Sequence, residues 1–83
     1  MKVRVIARVE CRSESAAEQL PIAVWQADER IPVAEIVTDS VEGPIEAGFP
    51  AARRLRVRLA DGQALTLVRE LPSGDWAVYR DAE

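Results

Sequence analysis

The sequence predicts an all-β domain: about six short antiparallel strands in a meander, rolled into a small barrel or a strongly curved sheet. Three observations predict it. Apolar and polar residues alternate with period 2 from Lys2 to Arg12 and again from Arg53 to Leu67. Turn-forming residues recur between such runs, at Asp28-Glu29-Arg30, Asp61-Gly62 and Pro72-Ser73-Gly74-Asp75. Almost nothing in the chain carries a helical period.

The first strand places Val3, Val5, Ala7, Val9 and Cys11 on one face, with Ile6 as the exception on the other. Ser13 to Gln19 breaks this alternation. Ser15-Ala16-Ala17-Glu18 has the spacing of a capping box, which allows one helical turn stopped by Pro21 or an irregular loop. Pro21 to Ala27 reads as the second strand and Asp28-Glu29-Arg30 as a tight turn. Ile31 to Val41 is the third strand, where apolar residues at both parities imply burial on two sides or a bulge near Glu35. Pro32 marks that strand's start as a sheet edge. Glu42 to Ala52, with Gly43-Pro44 and Gly48-Phe49-Pro50, reads as a long loop.

The fourth and fifth strands form the best-defined hairpin, Arg53 to Leu71. A two-residue Asp61-Gly62 loop would set Leu65 and Leu67 opposite arginines. A type I turn followed by Gly62 as a left-handed bulge residue instead sets Leu59 opposite Gln63, Val57 opposite Leu65 and Leu55 opposite Leu67. Arg54, Arg56 and Arg58 then share the other face. Because a one-residue slip exchanges the two faces, the bulged turn is the choice that collects the leucines. A last strand runs from Trp76 to Arg80. A four-residue turn before it pairs Trp76 with Leu71 and keeps Trp76 and Val78 on the core face.

At 83 residues the chain is one small β domain, 1–83, with room for a single thin core. Its 48% hydrophobic and 30% charged residues are those of a folded protein. A net charge of −3 argues against a general coat for DNA, though not against a local basic stripe. Cys11 is the only cysteine and histidine is absent, so a thiolate zinc cage and an intramolecular disulfide are excluded. No cofactor or metal is expected. No apolar run approaches a membrane span and the N-terminus has no signal-peptide stretch, so the expected compartment is the cytoplasm. The excess of arginine over a lone lysine fits a GC-rich bacterial genome or heat adaptation. With one apolar face per strand, the sheet must roll into an SH3-like or OB-like barrel or cover its bare face with a second subunit.

Val9-Glu10-Cys11, Pro21 with Trp25, Val33-Ala34-Glu35-Ile36, Asp61-Gly62 and Trp76-Ala77-Val78 together span most of the chain. In this pattern the chain resembles a group of small bacterial β-domains of unknown function, some appended to proteins related to DNA-repair polymerases. That group usually carries a tryptophan soon after the V-x-E-I strand, where this chain has Asp39-Ser40-Val41. The resemblance implies the fold and no activity.

Arg54, Arg56 and Arg58 are the sharpest binding candidates. At strand period they stand about 7 Å apart on one face, a spacing that suits successive phosphates of a nucleic-acid strand, and Arg69 or Arg80 would extend the patch. Tyr79 is the only aromatic placed to stack a base, since Trp25 and Trp76 are expected in the core. The competing and preferred reading is a solvated sheet face with acidic cross-strand partners. Glu35, within an apolar run, is the expected buried charge and should have an arginine or amide partner. Cys11 reads as a small buried hydrophobe. Asp39, Glu42 and Glu46 read as a solvated acidic loop, too sparse in oxygens for calcium. No set of catalytic groups is recognisable. The expected function is therefore a non-enzymatic interaction or assembly module, a homodimer or the partner of a larger protein. The alternative is a single-stranded nucleic-acid binder working through the three arginines.

Overall fold

The computed structural model describes residues 1–12, 20–42, 52–70 and 74–81. They form seven strands: β1 (Lys2–Val5), β2 (Ala7–Arg12), β3 (Leu20–Gln26), β4 (Glu29–Glu42), β5 (Ala52–Leu59), β6 (Ala64–Glu70) and β7 (Trp76–Asp81). All pairings are antiparallel, in the order β1-β7-β6-β5-β4-β3-β2, and the sheet curls into a half-barrel. The expected all-β meander and strongly curved sheet are what the chain adopts.

The expected first strand is two strands. It divides at Ile6, whose side chain is 96% exposed. β1 pairs with β7, from Lys2 opposite Asp81 to Val5 opposite Val78, while β2 pairs with β3. One continuous segment thus belongs to both ends of the sheet, and the kink at Ile6 lets it do so. The parity exception noted in the sequence is the hinge.

The β5–β6 hairpin has the bulged register. Leu55 faces Leu67 and Val57 faces Leu65; Leu59 N–H donates to the Gln63 carbonyl at 2.8 Å. Gly62, at φ +94°, donates its N–H to the Leu59 carbonyl at 3.0 Å. A left-handed residue is what this turn requires, and glycine meets that requirement without a Cβ clash. The Asp61 carboxylate accepts from the Gln63 backbone N–H at 3.1 Å and holds the turn from outside.

Other boundaries differ from expectation. The β3–β4 turn is Ala27-Asp28, not Asp28-Glu29-Arg30: Gln26 already faces Glu29, and Ala27 takes φ +53°. β4 is internal to the sheet, so Pro32 marks no edge. Its carbonyl accepts from Ala60 N–H at 2.8 Å, where β4 passes from β3 to β5. The bulge expected near Glu35 is present, with register shifts between Val33 and Glu35 and between Ile36 and Thr38. These shifts reconcile apolar residues at both parities. Trp76 pairs with Arg69 rather than Leu71, yet stays on the core side with Val78, because a shift of two residues preserves the face. The expected turn or loop at 13–19 lies outside the described residues, as do 43–51 of the expected long loop.

The core is one cluster on the concave side: Val24, Ile31, Leu55, Val57, Leu59, Leu65, Leu67 and Val78. Val5, Ala7, Val9, Val33, Ile36 and Trp76 pack around it. Each buried aliphatic side chain contributes about 1.5–3 kcal/mol, which is how so thin a sheet holds its curl.

Candidate functional site

Arg54, Arg56 and Arg58 all project from the convex face of β5 and are exposed. Strand pairing sets them in three transverse rows. Arg56 lies between Thr38 on β4 and Thr66 on β6, and the row continues through Tyr79 on β7 to Arg4 on β1. Arg54 stands in the row Ser40, Arg54, Val68, Ala77. Arg58 stands between Glu35 and Ala64. Lys2 reaches over the face from β1 and donates to Thr66 Oγ1 at 2.8 Å, leaving Thr66 buried beneath it.

Carboxylates border this face. Glu35 is exposed, not buried: the bulge beside it turns its side chain outward, where it meets Arg58 at 3.6 Å. Asp81 lies 3.9 Å from Arg56 and 4.0 Å from Lys2. Glu70 is exposed at the far end of β6. Exposed pairs at these separations hold little energy, so they leave the arginines able to change partners.

A second cluster surrounds Trp25, which is half-buried on the outside of the β2–β3–β4 layer instead of in the core. Arg8 and Arg30 flank it in the sheet, opposite it on β2 and β4. The Arg8 guanidinium stands 5.2 Å over the ring centroid. Trp25 Nε1 donates to Glu10 Oε1 at 3.0 Å, and Arg30 donates to both Glu10 oxygens at 3.1 and 3.0 Å. The Arg30 hydrogen bonds, and then the indole one, lower the Glu10 carboxyl to about 2. Four side chains on three strands thus lock together. Tryptophan finds a polar partner for its N–H here, which a purely aliphatic core would deny it.

On the concave side the same parity that brings in Leu55 and Leu67 also brings in Arg53, which the sequence reading did not single out, and Arg69, which therefore does not provide the expected extension of the outer arginine patch. Arg53 donates Nε and Nη2 to the two oxygens of Asp39 at 2.9 and 2.6 Å. That pair lowers the Asp39 carboxyl and raises the Arg53 guanidinium. Asp39 is therefore a β4 residue with a fixed partner and not part of an acidic loop; Glu42 ends β4 and Glu46 lies outside the described residues. Arg69 lies 5.9 Å over the Trp76 ring. Cys11 is half-buried beside this group, and burial raises its thiol while Arg69 and Arg53 pull the other way. The signal that could have revealed this end is the odd numbering shared by Arg53, Arg69 and the core leucines.

Among the described residues no three of His, Cys, Asp or Glu come together as a metal site, and no helix is long and apolar enough to cross a membrane. The architecture is that of a small, curled, antiparallel β-sheet module with a basic convex face. Compared with known protein families, curated proteins and solved structures, the chain matches none of them.

Proposed function

We propose that this chain is a non-enzymatic β-module of the cytoplasm that acts by associating with protein, in the first place with a second copy of itself. One observation carries the reading. Ile6, 96% exposed, sits at the joint between the two strands that end the sheet. Beside it is a shallow hollow lined by Ala7, Arg8, Trp25, Ala27 and Asp28. Among the described residues β1 and β2 are the terminal strands, each with one paired neighbour, so backbone hydrogen-bonding capacity and apolar surface coincide there. Burying one isoleucine on each side of a symmetric contact would contribute about 1.5–3 kcal/mol per copy. The lack of histidine and the half-buried, upshifted thiol of Cys11 support a role without acid–base or nucleophilic chemistry.

Light scattering coupled to size exclusion, run from micromolar to millimolar protein, tests this. The expected result is a mass that rises from monomer to dimer, with Ile6→Ser shifting the rise to higher concentration. A strict monomer throughout would remove self-assembly and leave a different protein as the partner to be sought.

A further inference from the structure

We infer that the convex face of β5, β6, β7 and β1 is a binding site for single-stranded nucleic acid, with Tyr79 stacking a base between phosphate contacts made by Arg4 and Arg56. The juxtaposition depends on the split of the first strand. Because β1 pairs with β7, Arg4 stands directly opposite Tyr79. Neighbouring strands lie about 5 Å apart, so Arg4 is one strand from the tyrosine on one side and Arg56 two strands, about 10 Å, on the other. Thr66, between Arg56 and Tyr79, is covered by the Lys2 side chain that donates to it, which adds a further cation beside the tyrosine.

Chemistry on the face suits this ligand. The row Thr38, Arg56, Thr66, Tyr79, Arg4 contains no carboxylate, and neither does the next row, Ser40, Arg54, Val68, Ala77. Glu35, Asp81 and Glu70 lie outside both rows. On a chain of net charge −3, Arg4, Arg54 and Arg56 in these two rows thus form a local cationic surplus, as a polyanion requires. Arg4 makes no ion pair among the described residues. The Arg56–Asp81 contact, at 3.9 Å with both side chains more than half exposed, is readily exchanged for a phosphate. Val68 and Ala77 give the flank of the tyrosine a small apolar floor, and a half-exposed ring with such a floor suits an unpaired base. A duplex would present only its backbone and leave the tyrosine unused. An acidic protein segment would need the arginines but not the ring.

Fluorescence anisotropy with a labelled oligothymidylate separates these cases, with duplex DNA of equal length and polyglutamate as competitors. Binding is expected at low salt, weakening with a slope of about −1.4 in log K against log salt, about −0.7 for each of the two phosphates met by Arg4 and Arg56. Arg4→Gln combined with Arg56→Gln should weaken it at least tenfold and flatten the slope by about 1 to 1.5. Tyr79→Phe should retain binding, whereas Tyr79→Val should lose about tenfold with the salt slope unchanged, the signature of stacking rather than charge. Arg8→Gln, on the other layer, should leave it as it was. Thermal melts of each variant establish that the fold persists. Absent binding at low salt overturns the assignment, as does equal competition by duplex or polyglutamate. The site does not rest on self-association: Ile6→Ser should bind the oligonucleotide as the wild type does, whatever its mass.

Discussion

Arg53 and Asp39 are joined by two hydrogen bonds across β5 and β4, Nε to Oδ1 and Nη2 to Oδ2, at the open end of the concave face. The arginine side chain is only 11% exposed while the carboxylate is 37% exposed. The asymmetry decides what mutation does. Asp39→Ala removes a bidentate partner of a largely buried guanidinium and should cost about 1–3 kcal/mol. Arg53→Met exchanges the cation for an apolar chain of similar length and should cost less. Urea denaturation of both variants checks the order; a larger loss for Arg53→Met would mean that the aspartate, not the arginine, carries the burial penalty.

Gly62 is the one residue on which the β5–β6 register turns. At φ +94° any side chain is strained even though space around it is open. Gly62→Ala should destabilise by about 1–2 kcal/mol, lowering the melting temperature by several degrees in a domain this small. The loss should appear in thermal melts without change in the folded spectrum, since the leucine pairs still favour one register.

Ala27 presents the opposite case. It occupies the left-handed region, at φ +53°, at a cost of about 1–2 kcal/mol for an L-residue. Ala27→Gly relieves that strain and returns about 0.4–1 kcal/mol through the greater freedom of the unfolded chain. The expected net is a gain of up to about 1 kcal/mol, read as a raised urea midpoint at constant slope. Destabilisation would mean that the alanine methyl packs against something the turn needs.

How much of this was legible in the sequence depended on whether a local rule acted alone. The Asp61-Gly62 hairpin was readable to single-residue register because alternation and turn chemistry agree there. Ile6 was visible as a parity exception, but its meaning is non-local: only the pairing of β1 with β7 and β2 with β3 makes it a hinge. Trp25 is expected in the core as a large aromatic, yet its N–H needs Glu10, and the Arg8 and Arg30 on either side make the outside tolerable. Glu35 shows one expectation undoing another, since the bulge foreseen beside it is what turns it out of the core. Arg53 and Arg69 share the parity of Leu55 and Leu67, so the rule that gathers the leucines inward gathers these arginines too. The basic face was half visible: β5 showed Arg54, Arg56 and Arg58, while Arg4 joins them only through sheet order.

The Glu10 cluster makes stability depend on acid in a direction that follows from its contacts. Arg30 and Trp25 hydrogen bonds hold the folded carboxyl at about 2, against an ordinary value of 4.5. A carboxyl depressed by folding contributes stability that is fully present above its unfolded value and lost as pH falls through the folded one. The contribution should therefore be intact above about pH 5 and fade between 4.5 and 2. Asp39, lowered by Arg53 from 3.8, adds to the same acid limb. Glu10→Gln keeps an acceptor for the indole N–H but removes the titration. Melting temperatures followed downward from neutral pH should fall less steeply in this variant than in the wild type. The indole N–H resonance of Trp25 offers a local reading, because its acceptor is the titrating oxygen. In the wild type that resonance should move with a midpoint near 2, well below the range of a solvated glutamate, and in Glu10→Gln it should not move there. A wild-type midpoint near 4.5 would mean that Arg30 does not hold the carboxylate in solution, and with it would go the clamp that keeps Trp25 on the outside of the roll.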